Sequence, residues 1–138
     1  MISQCLLSTS AAIVLLAGTL HLHGTFFGSD LRPSDPLLEA RMRQVAMNVS
    51  DKTTMWKAWI GFNAILSLGL MLFGVVDGYL AIFRFPVLQQ SGFLISAGTI
   101  FLSSLVLLWK PYTFSLPSLV FTAALALLLA RAFIASVS

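Results

Sequence analysis

The side chains best suited to chemistry are two histidines, His21 and His23, near the end of a long apolar stretch. Because residues two apart on a helix point about 200° apart, these rings cannot chelate one metal ion together. We expect His21 to face inward, since Thr25 extends the same helix face at i+4. The favoured interpretation is local hydrogen bonding at headgroup depth. Ligation of a haem- or chlorophyll-type metal, proton transfer and substrate binding are the alternatives.

A polar amide in the next apolar stretch, residues 55–83, completes the candidate site. Asn63 follows Trp59 by four residues, one turn from the expected interface. An amide at that depth needs hydrogen-bond partners, and His21 and Thr25 lie at the same end of the preceding helix. The candidate ligand-binding residues are therefore His21, Thr25, Trp59 and Asn63, with the His21 and Asn63 side chains expected to be in contact, directly or through one water.

Known patterns of catalytic residues are missing from the sequence. It contains no supported Ser-His-Asp arrangement, no glycine-rich phosphate loop, no Cys-x-x-Cys pair and no His-Glu-x-x-His. The single cysteine, Cys5, cannot form a disulfide within the chain. The sequence therefore favours a protein that is not an enzyme, indicates no metal site and identifies no cofactor.

The composition requires a lipid environment. The chain has 138 residues, of which 58% are hydrophobic and 9% charged, whereas a soluble domain is about 25% charged. Four runs, 1–29, 58–76, 85–109 and 111–130, contain no charged side chain, and a helix needs about 20 apolar residues to cross a bilayer. The runs are too long and too uniform for the alternating strands of a barrel.

We therefore predict an all-α membrane protein, a four-transmembrane-helix bundle forming a single domain over residues 1–138. The predicted helices cover residues 5–27, 55–83, 92–109 and 115–134.

The polar segment 28–54 predicts a further helix between the first two transmembrane helices. Asp35 is a suitable N-cap, and Pro36 fits the first helical position. Apolar residues then recur at helical spacing through Val45 and Val49. The pattern is typical of an amphipathic interfacial helix over about 36–49, although a helix that binds a partner would have the same pattern.

Small residues on the second predicted helix indicate helix packing. Ser67, Gly74 and Gly78 share one face, and the two glycines form a GxxxG pair. Such a face lets another helix approach closely, within the chain or in a partner.

Asp77 is expected to form an ion pair. It lies 18 residues beyond Trp59, about 27 Å along a helix and so near the opposite interface. Arg131 is expected at similar depth, and Arg84 follows Asp77 by two turns. Pairing with Arg131 or Arg84 would offset the cost of the carboxylate.

The distribution of basic residues predicts the orientation. With four crossings, one side carries two basic residues and the other carries six. The positive-inside rule then places residues 28–54 in the cytoplasm and both termini outside. The basic residues behind the net charge of +3 are scattered along the chain, so we expect no nucleic acid partner. The expected partners are the lipid bilayer and other membrane protein subunits.

Three runs carry a resemblance to a known family: His21-Leu-His-Gly-Thr-Phe, Leu31-Arg-Pro-Ser-Asp and Thr53-Thr-Met-Trp-Lys-Ala-Trp-Ile-Gly-Phe-Asn. Together they resemble small bacterial four-helix membrane proteins of uncharacterised function, over roughly the first half of the chain. In that family Phe-Asn is followed by a Ser-His-Ser-Leu-Gly run. Here the corresponding stretch is Phe62-Asn63-Ala64-Ile65-Leu66-Ser67-Leu68-Gly69, in which Leu66 replaces the histidine. The resemblance implies the fold and little about activity, and the departure favours a structural or accessory role.

Two functional hypotheses follow. The leading one is a non-catalytic small integral membrane protein, an accessory or structural subunit of a larger membrane assembly. The alternative is a small membrane enzyme or a binder of a lipid, quinone or pigment, with His21 and Asn63 at its site.

Overall fold

The computed structural model describes residues 1–112 and 115–137, and most of these residues are helical. In chain order the elements are α1 (Ile2–Phe27), α2 (Pro36–Gln44), β1 (Ala46–Met47), β2 (Ser50–Thr54), α3 (Met55–Phe83), α4 (Phe85–Gln90), α5 (Gly92–Tyr112) and α6 (Ser115–Val137).

Three of these helices, α1, α3 and α5, are long and apolar enough to cross a membrane. The predicted fourth transmembrane segment is helical as well. However, the apolar part of α6 within the described residues, Leu116–Arg131, is shorter than the other three. Three membrane-spanning helices are therefore supported by length and composition, and the fourth crossing stays a prediction.

The polar segment between α1 and α3 differs from its prediction. Helix α2 begins as expected, because the Asp35 carboxylate accepts a hydrogen bond of 2.9 Å from the Leu37 backbone N–H and a proline occupies the first turn. It ends at Gln44 and not near residue 49, since Val45 has extended backbone angles. The prediction of a helix over 36–49 is thus wrong beyond Gln44.

A short antiparallel hairpin replaces the missing end of that helix. Strands β1 and β2 pair with Ala46 opposite Thr54 and Met47 opposite Ser50. The β-branched residues of this segment favour extended backbone, and its Asn, Ser and Asp residues favour turns. These local preferences outweigh the helical spacing of the apolar residues, and they add a small sheet to a fold predicted to be all-α.

Helix α4 is a second difference, because the sequence predicts no helix between 55–83 and 92–109. Pro86 lies in its first turn, where a fixed φ angle favours helix and the missing N–H costs nothing. Leu88 is buried and holds the short helix against the bundle.

The chain divides into two compact units, Met1–Ala17 with Leu70–Ser138 as unit 1 and Gly18–Gly69 as unit 2.

In unit 1, α3 lies against α1 at Gly74. A Cβ atom added there would be 2.7 Å from the Leu15 backbone nitrogen and 2.9 Å from the Ala11 carbonyl oxygen. Gly78 is less constrained, since an added Cβ would meet the Ala11 Cβ at 3.6 Å. Glycine at position 74 therefore permits the close approach of the two backbones.

Other contacts of unit 1 join α6 and α5 to the first two long helices. The buried Ser10 hydroxyl on α1 donates a hydrogen bond of 2.8 Å to the Ala124 carbonyl on α6. The ring centroids of Phe73 on α3 and Phe101 on α5 lie 4.7 Å apart. Apolar side chains fill the remaining core, including Leu7, Val14, Leu70, Leu102, Phe121 and Leu128.

Candidate functional site

A hydrogen-bonded group in unit 2 contains His21 and Asn63, two of the four candidate ligand-binding residues. The Nδ1 atom of His21 lies 2.8 Å from the hydroxyl oxygen of Ser67. Ser67 has no exposed surface, and its hydroxyl donates to the backbone carbonyl of Asn63 at 2.8 Å. We call His21, Ser67 and the Asn63 carbonyl the histidine–serine group. It links α1 to α3.

The geometry of the histidine–serine group assigns a tautomer to His21. A serine hydroxyl has one hydrogen to donate, and a carbonyl oxygen can only accept. Since the Ser67 hydroxyl donates to Asn63, its contact with the His21 ring favours the tautomer that carries the proton on Nδ1. In a neutral ring, Nε2 is then the unprotonated nitrogen.

Hydrogen bonds to carbonyls one turn earlier fix several of these side chains. The Ser67 hydroxyl uses the carbonyl of Asn63, four residues back. The buried Thr25 hydroxyl donates in the same way to the His21 carbonyl at 2.7 Å. Serine and threonine adopt this pattern in helices because it satisfies the hydroxyl without a partner helix. The Thr25 hydroxyl therefore bonds to the His21 backbone, whereas the sequence predicted it as a hydrogen-bond partner for Asn63.

The Asn63 side chain forms a hydrogen bond within its own helix. Its amide N–H donates to the Trp59 carbonyl at 2.8 Å, one turn back on α3. His21 reaches Asn63 through the Ser67 hydroxyl and also hydrogen-bonds to the Asn63 backbone. Contact between the His21 and Asn63 side chains, directly or through one water, stays a prediction.

Ser67 is the member of the site that the sequence argument missed. It was predicted to pack helices, and in the structure it also bridges His21 to α3. The signal was present, because Asn63 and Ser67 are separated by four residues and share a helix face. One sequence could not predict which residue of α3 lies at the same level along the helix axis as His21.

Two further contacts of unit 2 involve tryptophans at the start of α3. The Trp59 indole N–H donates to the Leu31 carbonyl at 2.9 Å, and so fixes the chain that follows α1. Arg43 of α2 lies over the Trp56 ring at 4.4 Å and forms a salt bridge with Glu39. A guanidinium over an indole is a cation–π contact, and here it ties α2 to α3.

His23 is separate from the histidine–serine group. Its side chain is exposed, and its ring lies 5.4 Å from that of Phe27. Over the described ranges, no three His, Cys, Asp or Glu side chains lie close enough together to hold a metal ion.

The predicted ion pair of Asp77 is not formed in unit 1. In the part of the chain that the structure describes, the one salt bridge joins Arg43 and Glu39. Arg84 is exposed at the start of α4. Arg131 is buried, and its terminal nitrogen Nη2 lies 3.4 Å from the Gln89 carbonyl oxygen. Helix α4 contributes to the difference, because its last turn presents the Gln89 carbonyl to Arg131.

Comparisons of the chain with protein-family models, with curated proteins and with solved structures found no match. The resemblance to small bacterial four-helix membrane proteins therefore stays a prediction, and any proposal about function must start from the residues described above.

Proposed function

We propose that this protein is a non-catalytic integral membrane protein that serves as an accessory or structural subunit of a larger membrane assembly. The observation that carries the proposal is the internal use of the polar side chains. The hydroxyls of Ser67 and Thr25 and the amide N–H of Asn63 all bond to carbonyls of their own helices. Such bonds satisfy these polar groups inside their own helices.

The apolar surface supports the assembly part of the proposal. Within the apolar windows of α1, α3 and α5, 28%, 22% and 17% of the residues are buried inside the chain. Most of each window therefore faces outward, toward lipid or toward helices of other subunits. In lipid, association depends on close packing, which an outward surface of small and aliphatic side chains permits.

The proposed arrangement has four crossings. Helix α6 has 23 residues, about 35 Å at the helical rise, which is enough to cross the hydrocarbon layer. Helix α2 is proposed to lie at the interface, since all nine of its residues are at least partly exposed and its Arg43 contacts an anchoring tryptophan. Both termini then face outside, in a bacterial inner membrane.

Purification at the natural expression level tests the proposal. A tagged copy is extracted in a mild detergent, sized on a native gel and analysed for co-purifying chains. The proposal predicts other membrane protein subunits in a fixed ratio. A single chain without partners, at the size of one detergent-bound copy, contradicts it.

A second candidate is a binder of a lipid, quinone or pigment, with His21 and Asn63 at its site. It is favoured by one feature of Asn63, whose side-chain carbonyl accepts no hydrogen bond from the residues that the structure describes. A ligand hydroxyl could donate to that oxygen. The absorption spectrum and the extracted small molecules of the purified protein test this candidate, and Asn63→Ala should remove the bound molecule. Retention in the variant rejects it.

A further inference from the structure

Arg131 in unit 1 is a buried cation with most of its hydrogen-bonding capacity unused. The residue is 5% exposed. Its guanidinium has five N–H donors, and one of them faces the Gln89 carbonyl at 3.4 Å, beyond the usual range of about 2.7–3.2 Å. Among the described residues, the Arg131 Nε atom has no hydrogen-bond partner. A buried donor left in this state is costly, more so when it is charged.

Unit 1 lacks the charge to balance Arg131 from within. Its side chains include three basic residues, Arg84, Lys110 and Arg131, and one acid, Asp77, so that the balance is 3 − 1 = +2. Asp77 forms no salt bridge in the described part of the chain. From residue 78 to the end of the sequence there is no Asp or Glu. Among the described residues no acid pairs with Arg131, and a bound anion would supply the counter-charge.

The position of Arg131 indicates which anion is available. Arg131 ends the apolar stretch Leu116–Arg131 of α6. It lies 16 residues after Ser115, about 24 Å along the helix axis, which approaches the thickness of the hydrocarbon layer. A side chain at that depth reaches the level of lipid headgroups.

The segment that Arg131 contacts has the character of a membrane interface. Gln89 is followed by Gln90 and Ser91, which are polar and uncharged. On either side, Val87 and Phe93 expose apolar side chains. A phospholipid matches this arrangement, since its phosphate can reach the arginine while its acyl chains cover Val87 and Phe93.

We infer that Arg131 and the end of α4 bind the phosphate group of a membrane lipid. The planar guanidinium donates two parallel hydrogen bonds to two phosphate oxygens, a geometry that a lysine cannot reproduce. The bound phosphate supplies the missing charge, and because Nε is buried, the guanidinium must turn toward the lipid to donate to it. The site is distinct from the histidine–serine group and does not depend on the proposed subunit function.

Native mass spectrometry with added phosphatidylglycerol tests the inference. Wild-type protein should retain this lipid about ten- to a hundredfold more tightly than Arg131→Gln, the effect expected for hydrogen bonds to a charged group. Arg131→Lys should fall between them. Lys52→Gln is the matched control, because it removes the same charge from an exposed position in β2 and should bind like the wild type. Equal retention by Arg131→Gln overturns the inference.

Two further measurements use only the wild type, so that they remain informative if a variant fails to fold. They also distinguish a lipid phosphate from free phosphate. The melting temperature of the wild type should rise with phosphatidylglycerol and not with a phosphate-free diacyl glycolipid. Equal stabilisation by both lipids overturns the inference without any variant. Inorganic phosphate alone should have little effect. If it stabilises the wild type as much as phosphatidylglycerol does, the site is for free phosphate and the assignment to lipid is wrong.

Discussion

At the scale of single residues, one buried hydroxyl determines how the polar groups of unit 2 are arranged. Ser67 receives a hydrogen bond from His21 and passes one to Asn63. The sequence predicted that His21 faces inward and lies near Asn63, because both residues occur at the same end of neighbouring helices. It could not predict that Ser67 lies between them, since the relative depth of two helices depends on packing that no local pattern encodes.

Removing this hydroxyl should destabilise the protein. Ser67→Ala removes the hydroxyl that contacts Nδ1 of His21 and donates to the Asn63 carbonyl, so we expect the free energy of unfolding to fall by about 1–3 kcal/mol. Thermal unfolding in detergent measures the loss. Ser104→Ala is the matched control, because Ser104 also bonds to a carbonyl one turn earlier but is exposed. Equal effects of the two substitutions would show that the contact with His21 contributes nothing.

Asp77 provides a second test at this scale. An ion pair with Arg84 or Arg131 would make Asp77→Asn destabilising. The structure contains no such pair among the described residues, so we expect the substitution to change stability by no more than about 0.5 kcal/mol. The same unfolding assay measures it. A loss as large as that of Ser67→Ala would mean that the pair predicted from the sequence forms in the membrane.

At the scale of elements, long apolar runs were predicted best and short polar segments worst. Helix α3 has the predicted bounds of 55–83, because an interfacial anchor starts it and a charged residue follows it. Helix α2 is shorter than predicted, and both the hairpin and α4 were missed. In those segments helical spacing competes with β-branched and turn-forming residues, and a few residues of local preference decide the outcome.

The packing of α1 on α3 gives a matched pair of substitutions. Gly74→Ala should lower the free energy of unfolding by about 1–3 kcal/mol. The new methyl group would overlap the backbone of α1 at Leu15 and Ala11. Gly78→Ala should be neutral or slightly stabilising, since its methyl group would make an ordinary contact and alanine favours helix. Unfolding temperatures compare the two variants. The reverse order would contradict this placement of α3 on α1.

At the scale of the whole molecule, the number of crossings determines the orientation of the two termini. Four crossings place both termini on the side opposite to α2, whereas three crossings place them on different sides. Charge bias predicts the first arrangement, and the length of α6 is compatible with it.

Cysteine labelling separates these arrangements. Cys5 is exposed and is first replaced by serine. A cysteine at the exposed position Ala40 should then be protected from a membrane-impermeant maleimide in intact cells. One added after Ser138 and one placed before Ile2 should both be labelled. Labelling at position 40 would reverse the orientation, and labelling at only one terminus would reject the fourth crossing.

Native mass spectrometry of protein taken directly from its source membrane tests the central claim, that the chain is an accessory subunit whose polar site is structural. Wild type and His21→Ala are compared at natural expression levels. We predict that both appear bound to other membrane protein chains and that no small-molecule mass is lost in the variant. A solitary wild-type chain carrying a small molecule that His21→Ala has lost would contradict the account.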